Sequence, residues 1–192
     1  MESGIIALEE LYAFARRDPS GEALNRNSSI GRKYGKLVDR VKESIPKKKG
    51  VYLWGKYEIN GLWKNIYIGQ SGDGPTARLQ WRIGDEELKK EGGAIFWLPI
   101  IGKENLIMIC RENYPNAGNY WERGLAKAET TRVIWVVTPP DLNNDDIKEV
   151  ESDLIETMNP RVNKDRPVPP NTRQQITLKI IGEFRRRIHE NR

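Results

Sequence analysis

The chain has 192 residues and a net charge of +5, a length that fits one domain with helical extensions better than two full domains. No run approaches the roughly 18 apolar residues of a membrane span, and the N-terminus lacks the charged start of a secretory signal, so we expect a soluble, cytoplasmic protein. Cys110 and His189 are the single cysteine and histidine. They exclude a disulfide framework, a cysteine-built zinc site and nearly all histidine-dependent hydrolases, which leaves Tyr, Lys, Asp and Glu for acid–base chemistry.

The positive charge is concentrated at the two ends of the chain. Residues 1–50 hold 11 Lys and Arg against 7 Asp and Glu, residues 51–160 hold 12 against 17, and residues 161–192 hold 9 against 3. Clustered Lys and Arg provide the sequence-independent part of nucleic-acid affinity. The pattern predicts a core between two basic arms that contact a polyanion, although solvated helix faces without a partner would give the same composition.

The N-terminal segment has helical spacing of apolar residues. The spacing predicts one helix over Ile5–Arg17, a break at Asp18–Gly21, and a second, basic helix over Gly31–Ile45. Three consecutive lysines, Lys47–Lys49, then lead into the first predicted strand.

Two short triplets flank a predicted hairpin. Val51–Tyr57 and Trp63–Gly69 have strand composition, and the Asn-Gly pair between them is a strong hairpin signal. The triplets Gly50-Val51-Tyr52 and Tyr67-Ile68-Gly69 then lie on neighbouring antiparallel strands. We therefore expect the two tyrosines to face the same side of the sheet.

The remaining chain alternates helices and one strand. We expect a helix from Pro75 to about Lys90 with Arg78 and Arg82 on one face, then a helical region with a break at Trp97–Pro99. A strand over Thr131–Thr138, a helix over Asp141–Met158 and a basic helix from about Arg173 to the end complete the prediction. The fold class is α/β, with a small three-stranded mostly antiparallel sheet flanked by helices, plus helical N- and C-terminal extensions.

The triplets and the downstream motifs together resemble the GIY-YIG nuclease family. The resemblance is carried by Gly50-Val51-Tyr52, Tyr67-Ile68-Gly69, an arginine helix at Arg78, the string Glu151-Ser152-Asp153-Leu154-Ile155, and Pro160-Arg161-Val162-Asn163. It spans residues 50–163. The implied organisation is a basic helical N-terminal extension over 1–49, a GIY-YIG nuclease domain over 50–165 with a helical insert at about 92–130, and a basic C-terminal helix over 166–192.

The resemblance implies phosphodiester hydrolysis with one divalent ion. Glu151 would hold Mg²⁺, with Mn²⁺ as a substitute, because a hard cation takes oxygen ligands and keeps several waters beside a substrate phosphate. Tyr67 would act as general base or orient the attacking water, with Tyr52 as its hydrogen-bonded neighbour. Arg78 would contact the scissile phosphate, and Arg82, one turn further, would either take over a phosphate contact or be a surface residue. Asn163 would steady the site through hydrogen bonds.

One residue departs from the family pattern. Many relatives carry a lysine directly after the second triplet, where this chain has Gln70. A free phenol has a pKa of about 10 and is a poor base at neutral pH, so a nearby cation must favour its charged form. Without a lysine at position 70, Lys64 or an arginine would have to supply that charge to Tyr67.

The resulting expectation is a divalent-metal-dependent, restriction-type endonuclease that acts on double-stranded DNA, as a homodimer or by successive nicking. The alternatives are a catalytically impaired nucleic-acid-binding protein with the same fold, a repair or mobile-element nuclease, and a protein-interaction domain whose basic arms bind acidic partners. Neither the recognition sequence nor the choice of DNA over RNA follows from the residues themselves.

Overall fold

The computed structural model describes residues 1–72, 74, 78–113, 120–163 and 174–192. The chain folds into two compact units. The first unit contains Met1–Ala7, Ile45–Arg82 and Thr130–Arg192, and the second contains Leu8–Ser44 and Ile83–Glu129. Each unit is therefore assembled from segments that are distant in the sequence. The predicted helix start at Pro75 lies outside the described residues.

The first unit contains a four-stranded sheet in which all neighbours are antiparallel, in the order β1-β4-β2-β3. The strands are β1 Ser3–Ala7, β2 Gly50–Tyr57, β3 Trp63–Ser71 and β4 Arg132–Val137. The α/β class is confirmed, but the predicted three-stranded sheet is wrong.

The additional strand is β1, which occupies the start of the predicted helix over Ile5–Arg17. Ile5 pairs with Ile134 of β4, and Ser3 pairs with Val136. A run this short has no decisive periodicity of its own, so pairing with the edge of β4 overrides the helical spacing. The helix begins only at Glu9.

The helices follow the predicted order, with shifted ends. Pro99 lies in the last turn of its helix and is exposed, so the predicted break at Trp97–Pro99 is wrong: one backbone hydrogen bond is lost without ending the helix. A 3₁₀ turn covers Glu22–Leu24, and a helix with π-type hydrogen bonding covers Gln80–Glu91. The α-helices are α1 Glu9–Arg17, α2 Ser29–Lys42, α3 Gly92–Ile101, α4 Lys103–Asn113, α5 Tyr120–Ala126, α6 Asn144–Met158 and α7 Gln174–Glu190.

Helix α6 starts three residues later than predicted because Asn143 caps it. The Asn143 side chain accepts hydrogen bonds from the backbone N–H groups of Asp145 (2.8 Å) and Asp146 (3.0 Å). The Asp146 carboxylate in turn accepts from the Asn143 backbone N–H at 3.0 Å. This capping box satisfies the free donors of the first turn and fixes where the helix begins.

One face of the sheet forms the core of the first unit. Helix α6 packs over β3 and β2, and α7 packs over β4 and β1. Alternate residues of the strands meet the apolar faces of the two helices, as the two-residue period of a strand requires. The buried cluster comprises Val51, Leu53, Ile68, Ile134, Val136, Leu142, Ile147, Val150, Leu154, Ile180, Ile181 and Phe184.

Helices α1, α2 and α3 form the core of the second unit around Trp97. The Trp97 ring is fully buried and packs edge-on against Tyr34, with ring centroids 5.1 Å apart. Its indole N–H donates to the Asp18 carbonyl at 3.1 Å, so the buried donor is satisfied.

Among the described residues, no helix combines the length and the apolar character that crossing a bilayer requires.

Candidate active site

The predicted hairpin forms, and it brings the two tyrosines together. Tyr52 lies opposite Gly69 and Trp54 lies opposite Tyr67, so the tyrosines are diagonal neighbours. Their ring centroids are 6.3 Å apart with planes tilted by 46°. Because Leu53 and Ile68 point into the core under α6 and α7, both tyrosines belong to the opposite face of the sheet.

Gly69 allows the close approach of Tyr52. A Cβ atom on Gly69 would lie 2.4 Å from the Tyr52 Oη and 2.5 Å from its Cζ, so the ring rests directly on the Gly69 backbone. Tyr52 is fully buried in that position, whereas Tyr67 is partly exposed. Only Tyr67 of the pair is therefore open to a substrate, and Tyr52 is placed to support it.

Asn163 binds the outer edge of β3 beside Tyr67. Its side-chain oxygen accepts from the Ile68 N–H at 2.7 Å, and its amide nitrogen donates to the Ile68 carbonyl at 2.8 Å. The preceding residue continues this pairing, since the Val162 N–H donates to the Ile66 carbonyl at 2.9 Å. The 161–163 segment thus satisfies backbone groups that an edge strand would otherwise leave unpaired.

Glu151 lies on the middle of a helix that runs alongside β3. At one end, a Cβ on Gly72 would meet the Asn144 side chain at 2.1 Å. At the other end, the Asn65 side chain donates to the Met158 carbonyl at 2.7 Å. Glu151 is midway between Asn144 and Met158, and so level with the middle of β3. Its side chain is only 3% exposed, unlike an ordinary solvated helix carboxylate.

The other carboxylates of α6 have different surroundings. Asp153 is also buried, and its Oδ2 accepts from the Thr177 hydroxyl of α7 at 3.1 Å. Burial raises the pKa of Asp153, although the hydrogen bond from Thr177 opposes that shift. Glu156 is exposed. Helical geometry places Glu151 on the flank of α6 away from Asp153 and α7, which is the flank toward the outer edge of β3.

Arg78 is exposed and lies beside the residues that lead into β2. Its Nη1 donates to the Lys47 carbonyl at 2.7 Å, and the neighbouring Leu79 N–H donates to the Lys48 carbonyl at 3.0 Å. Lys47 is exposed too, so two cations adjoin the end of the strand that carries Tyr52. The sequence interpretation does not include Lys47 in the site, although the lysine run is a visible signal. Arg82 is partly buried one turn beyond Arg78.

Gln70, at the position where the GIY-YIG pattern often has a lysine, lies on the face of the sheet opposite to Tyr67. Strand alternation places Gln70 on the side of α6, opposite to Tyr67, and its Oε1 lies 3.5 Å from the Cβ position of Gly72 on that side. Lys64 pairs with Glu58 at 3.3 Å, so its charge is directed to the hairpin end. Neither position 70 nor Lys64 is placed to favour the charged form of the Tyr67 phenol.

The chemistry of the available donors suits a hard cation. Within the described ranges, no group of three or more His, Cys, Asp and Glu side chains is assembled that could hold a metal ion. The predicted ligand is the single carboxylate of Glu151. One carboxylate completed by waters and substrate phosphate oxygens is an ordinary environment for Mg²⁺. The donor type of Glu151 fits the implied ion, which this carboxylate would hold.

Tyr67 and Asn163 thus lie together at the outer strand β3, whereas Glu151 lies on α6 over the opposite face of the sheet. Arg78 lies beside the residues that lead into β2. Comparison with known proteins assigns no family, because no family model, no curated protein and no solved structure matches this chain.

Proposed function

We propose that this protein is a cytoplasmic, Mg²⁺-dependent endonuclease of the GIY-YIG type that hydrolyses phosphodiester bonds in double-stranded DNA. The observation that carries the proposal is the pairing of the Tyr52 and Tyr67 rings on the hairpin, with Asn163 bound to the Ile68 backbone beside them. The family motifs occur in the right order, and their residues lie on elements that pack side by side. This arrangement supports the proposed fold family as well as the activity.

Each side chain has a role that its position supports. The partly exposed Tyr67 phenol orients the attacking water or takes its proton, while the buried Tyr52 ring holds the Tyr67 side of the sheet in place. Arg78 binds a non-bridging phosphate oxygen, because guanidinium stays charged and can donate two parallel hydrogen bonds. Asn163 keeps the strand that carries Tyr67 in register through both of its bonds to Ile68.

Glu151 supplies the negative charge that would hold the ion. When bound, Mg²⁺ stabilises charge on the phosphate and on the leaving oxygen. Low exposure keeps the Glu151 carboxylate in one orientation, so little conformational entropy is lost when it acts as a ligand. Cutting both strands of a duplex requires two such sites, so we propose a homodimer or two successive nicks.

A plasmid-nicking assay tests this function. Supercoiled plasmid is incubated with wild type, Glu151→Gln and Tyr67→Phe in Mg²⁺, and with wild type in EDTA. We expect each substitution to reduce the rate about 100-fold or more, the usual size of a lost general base or charge-stabilising group. Glu156→Gln is the matched control, since Glu156 is an exposed carboxylate on the same helix. Its rate should stay within about twofold of wild type.

The results separate the alternatives. Unchanged nicking by Glu151→Gln would remove Glu151 as the metal ligand. If wild type binds DNA yet never cuts it with Mg²⁺ or Mn²⁺, the non-catalytic binding protein replaces the nuclease. If wild type shows no salt-dependent retention on DNA, a protein-interaction role for the basic residues becomes the better explanation.

A further inference from the structure

Helix α2 of the second unit carries a row of exposed cations, beside which the carboxylates of Asp39 and Glu43 also lie. Arg32, Lys33, Lys36 and Arg40 are all exposed. Positions 32, 36 and 40 follow one another at about 6 Å along the helix axis, and the four side chains fall within about 100° of its circumference. The buried residues Tyr34, Leu37 and Val38 occupy the opposite side and anchor the helix.

These cations are not neutralised within the described part of the chain. The side chains of Lys33, Lys36 and Arg40 have neither an ion pair nor a hydrogen bond there, and the Arg32 Nη1 donates to a carbonyl, that of Asn27, at 2.7 Å. The carboxylate of α2 itself is committed elsewhere. Asp39 binds Lys42 at 2.9 Å and Lys89 at 2.7 Å, and its side chain stays 47% exposed beside the row.

Two arginines of the C-terminal helix α7, in contrast, are paired within the first unit. Arg186 binds Glu183 at 2.6 Å and Glu190 at 2.9 Å. Arg187 donates to the backbone carbonyl and the hydroxyl of Ser3, which joins α7 to β1. These two cations stabilise the first unit. Two arginines of α7 are thus committed within the first unit, whereas Lys33, Lys36 and Arg40 of α2 are not paired within the described residues.

A cleft of about 300 Å³ extends the row of cations from Arg32. Its wall includes Arg26, Lys89 and Lys90, and its floor is formed by Leu24 and small residues. Among the described residues that line it there is no carboxylate. Of these cations, Lys89 is already paired with Asp39 and Asp85, so the cleft adds shape rather than free charge beside the α2 row.

We propose that the α2 face, defined by Arg32, Lys33, Lys36 and Arg40, binds the phosphodiester backbone of duplex DNA. The inference takes its partner from the proposed function but concerns a surface outside the active site. Nucleic acid fits better than an anionic membrane, because a membrane-bound helix inserts large apolar side chains beside its cations. The exposed face of α2 carries none, since the exposed large hydrophobic residues of the described chain all lie outside this helix.

The test replaces the three uncommitted side chains together. Lys33→Ala/Lys36→Ala/Arg40→Ala is compared with Lys103→Ala/Lys179→Ala/Arg185→Ala, which removes the same charge from exposed positions elsewhere. Binding of a fluorescent duplex is followed by anisotropy in EDTA over a range of salt concentrations. We expect the α2 variant to bind about tenfold or more weakly at ~0.1 M salt, and the slope of log K against log salt to fall by about 2 to 3, near 0.9 per lost phosphate contact. The control should keep the wild-type slope.

Every outcome decides the inference independently of cleavage. An α2 variant that keeps the wild-type affinity and slope overturns it, even if plasmid is cut. A wild type that binds vesicles of anionic lipid and no duplex also overturns it. Loss of binding in the α2 variant alone, with an unchanged Tm, supports it even where Glu151→Gln nicks as fast as wild type.

Discussion

Replacing Gly69 with alanine is expected to destabilise the sheet, because the new methyl group would enter the space of the Tyr52 ring. An ideal Cβ there lies 2.4 Å from the Tyr52 Oη and 2.5 Å from its Cζ. An ordinary contact needs about 3.5 Å, so the ring would have to retreat by roughly 1 Å. Tyr52 is fully buried, so a displaced ring would press against its neighbours.

The net cost follows from two opposing effects. Overpacking a buried site costs about 1–3 kcal/mol. Alanine recovers about 0.4–1 kcal/mol, because it restricts the unfolded chain more than glycine does. We therefore expect the free energy of unfolding of Gly69→Ala to fall by about 1–2 kcal/mol. For a chain of this length, the Tm should fall by roughly 2–8 °C.

Thermal unfolding followed by circular dichroism measures this change, with Gly182→Ala as the control. Gly182 is exposed on α7, and a Cβ there would meet nothing within 4 Å. That substitution should raise the free energy of unfolding by about 0.5–1 kcal/mol, since alanine is the better helix former. A Gly69→Ala protein as stable as wild type, or two alanines that shift the Tm in the same direction, would refute the close contact.

Two further predictions concern groups that hold each unit together. Asn163→Ala removes both hydrogen bonds to Ile68, so we expect a loss of about 1–3 kcal/mol and at least about tenfold faster exchange of the Ile68 amide; unchanged exchange would contradict the role of the side chain. Burial alone would raise the pKa of Asp85, but hydrogen bonds from Lys42 and Lys89 outweigh it and lower that pKa. A lowered pKa gives stability that is present above about pH 4 and lost as the pH falls further. Lys42→Met should therefore cost about 1 kcal/mol at pH 7 in urea unfolding and less at pH 3, and an equal cost at both pH values would exclude the ion pair as the cause.

The parts of the fold that the sequence predicted are those with strong local signals. The hairpin has an Asn-Gly turn between two strand-like runs, and α6 has acidic residues after a capping Asn143. Strand β1 has no such signal, because five residues can adopt either periodicity until β4 provides a partner. Pro99 was a misleading signal, since the helix continues past it to Ile101 at the cost of one backbone hydrogen bond.

The candidate site was likewise predictable only in part. The motif order suffices to predict that Tyr52 and Tyr67 are neighbours. It does not predict that Tyr52 is buried against Gly69 while Tyr67 is partly exposed, because exposure depends on packing between distant segments. The face of the sheet on which Gln70 lies follows from the register of β3. The motif alone does not reveal that register.

The interleaving of the two units limits how the chain can be divided in an experiment. A fragment of residues 50–165 would lack both β1 and α7, and would leave Ile134 and Val136 without the helix that covers them. Deleting residues 1–49 would remove a strand from one unit and two helices from the other. Point substitutions in the intact polypeptide are therefore the sound way to separate the proposed cleavage from the proposed DNA binding, because a truncation would disturb both units at once.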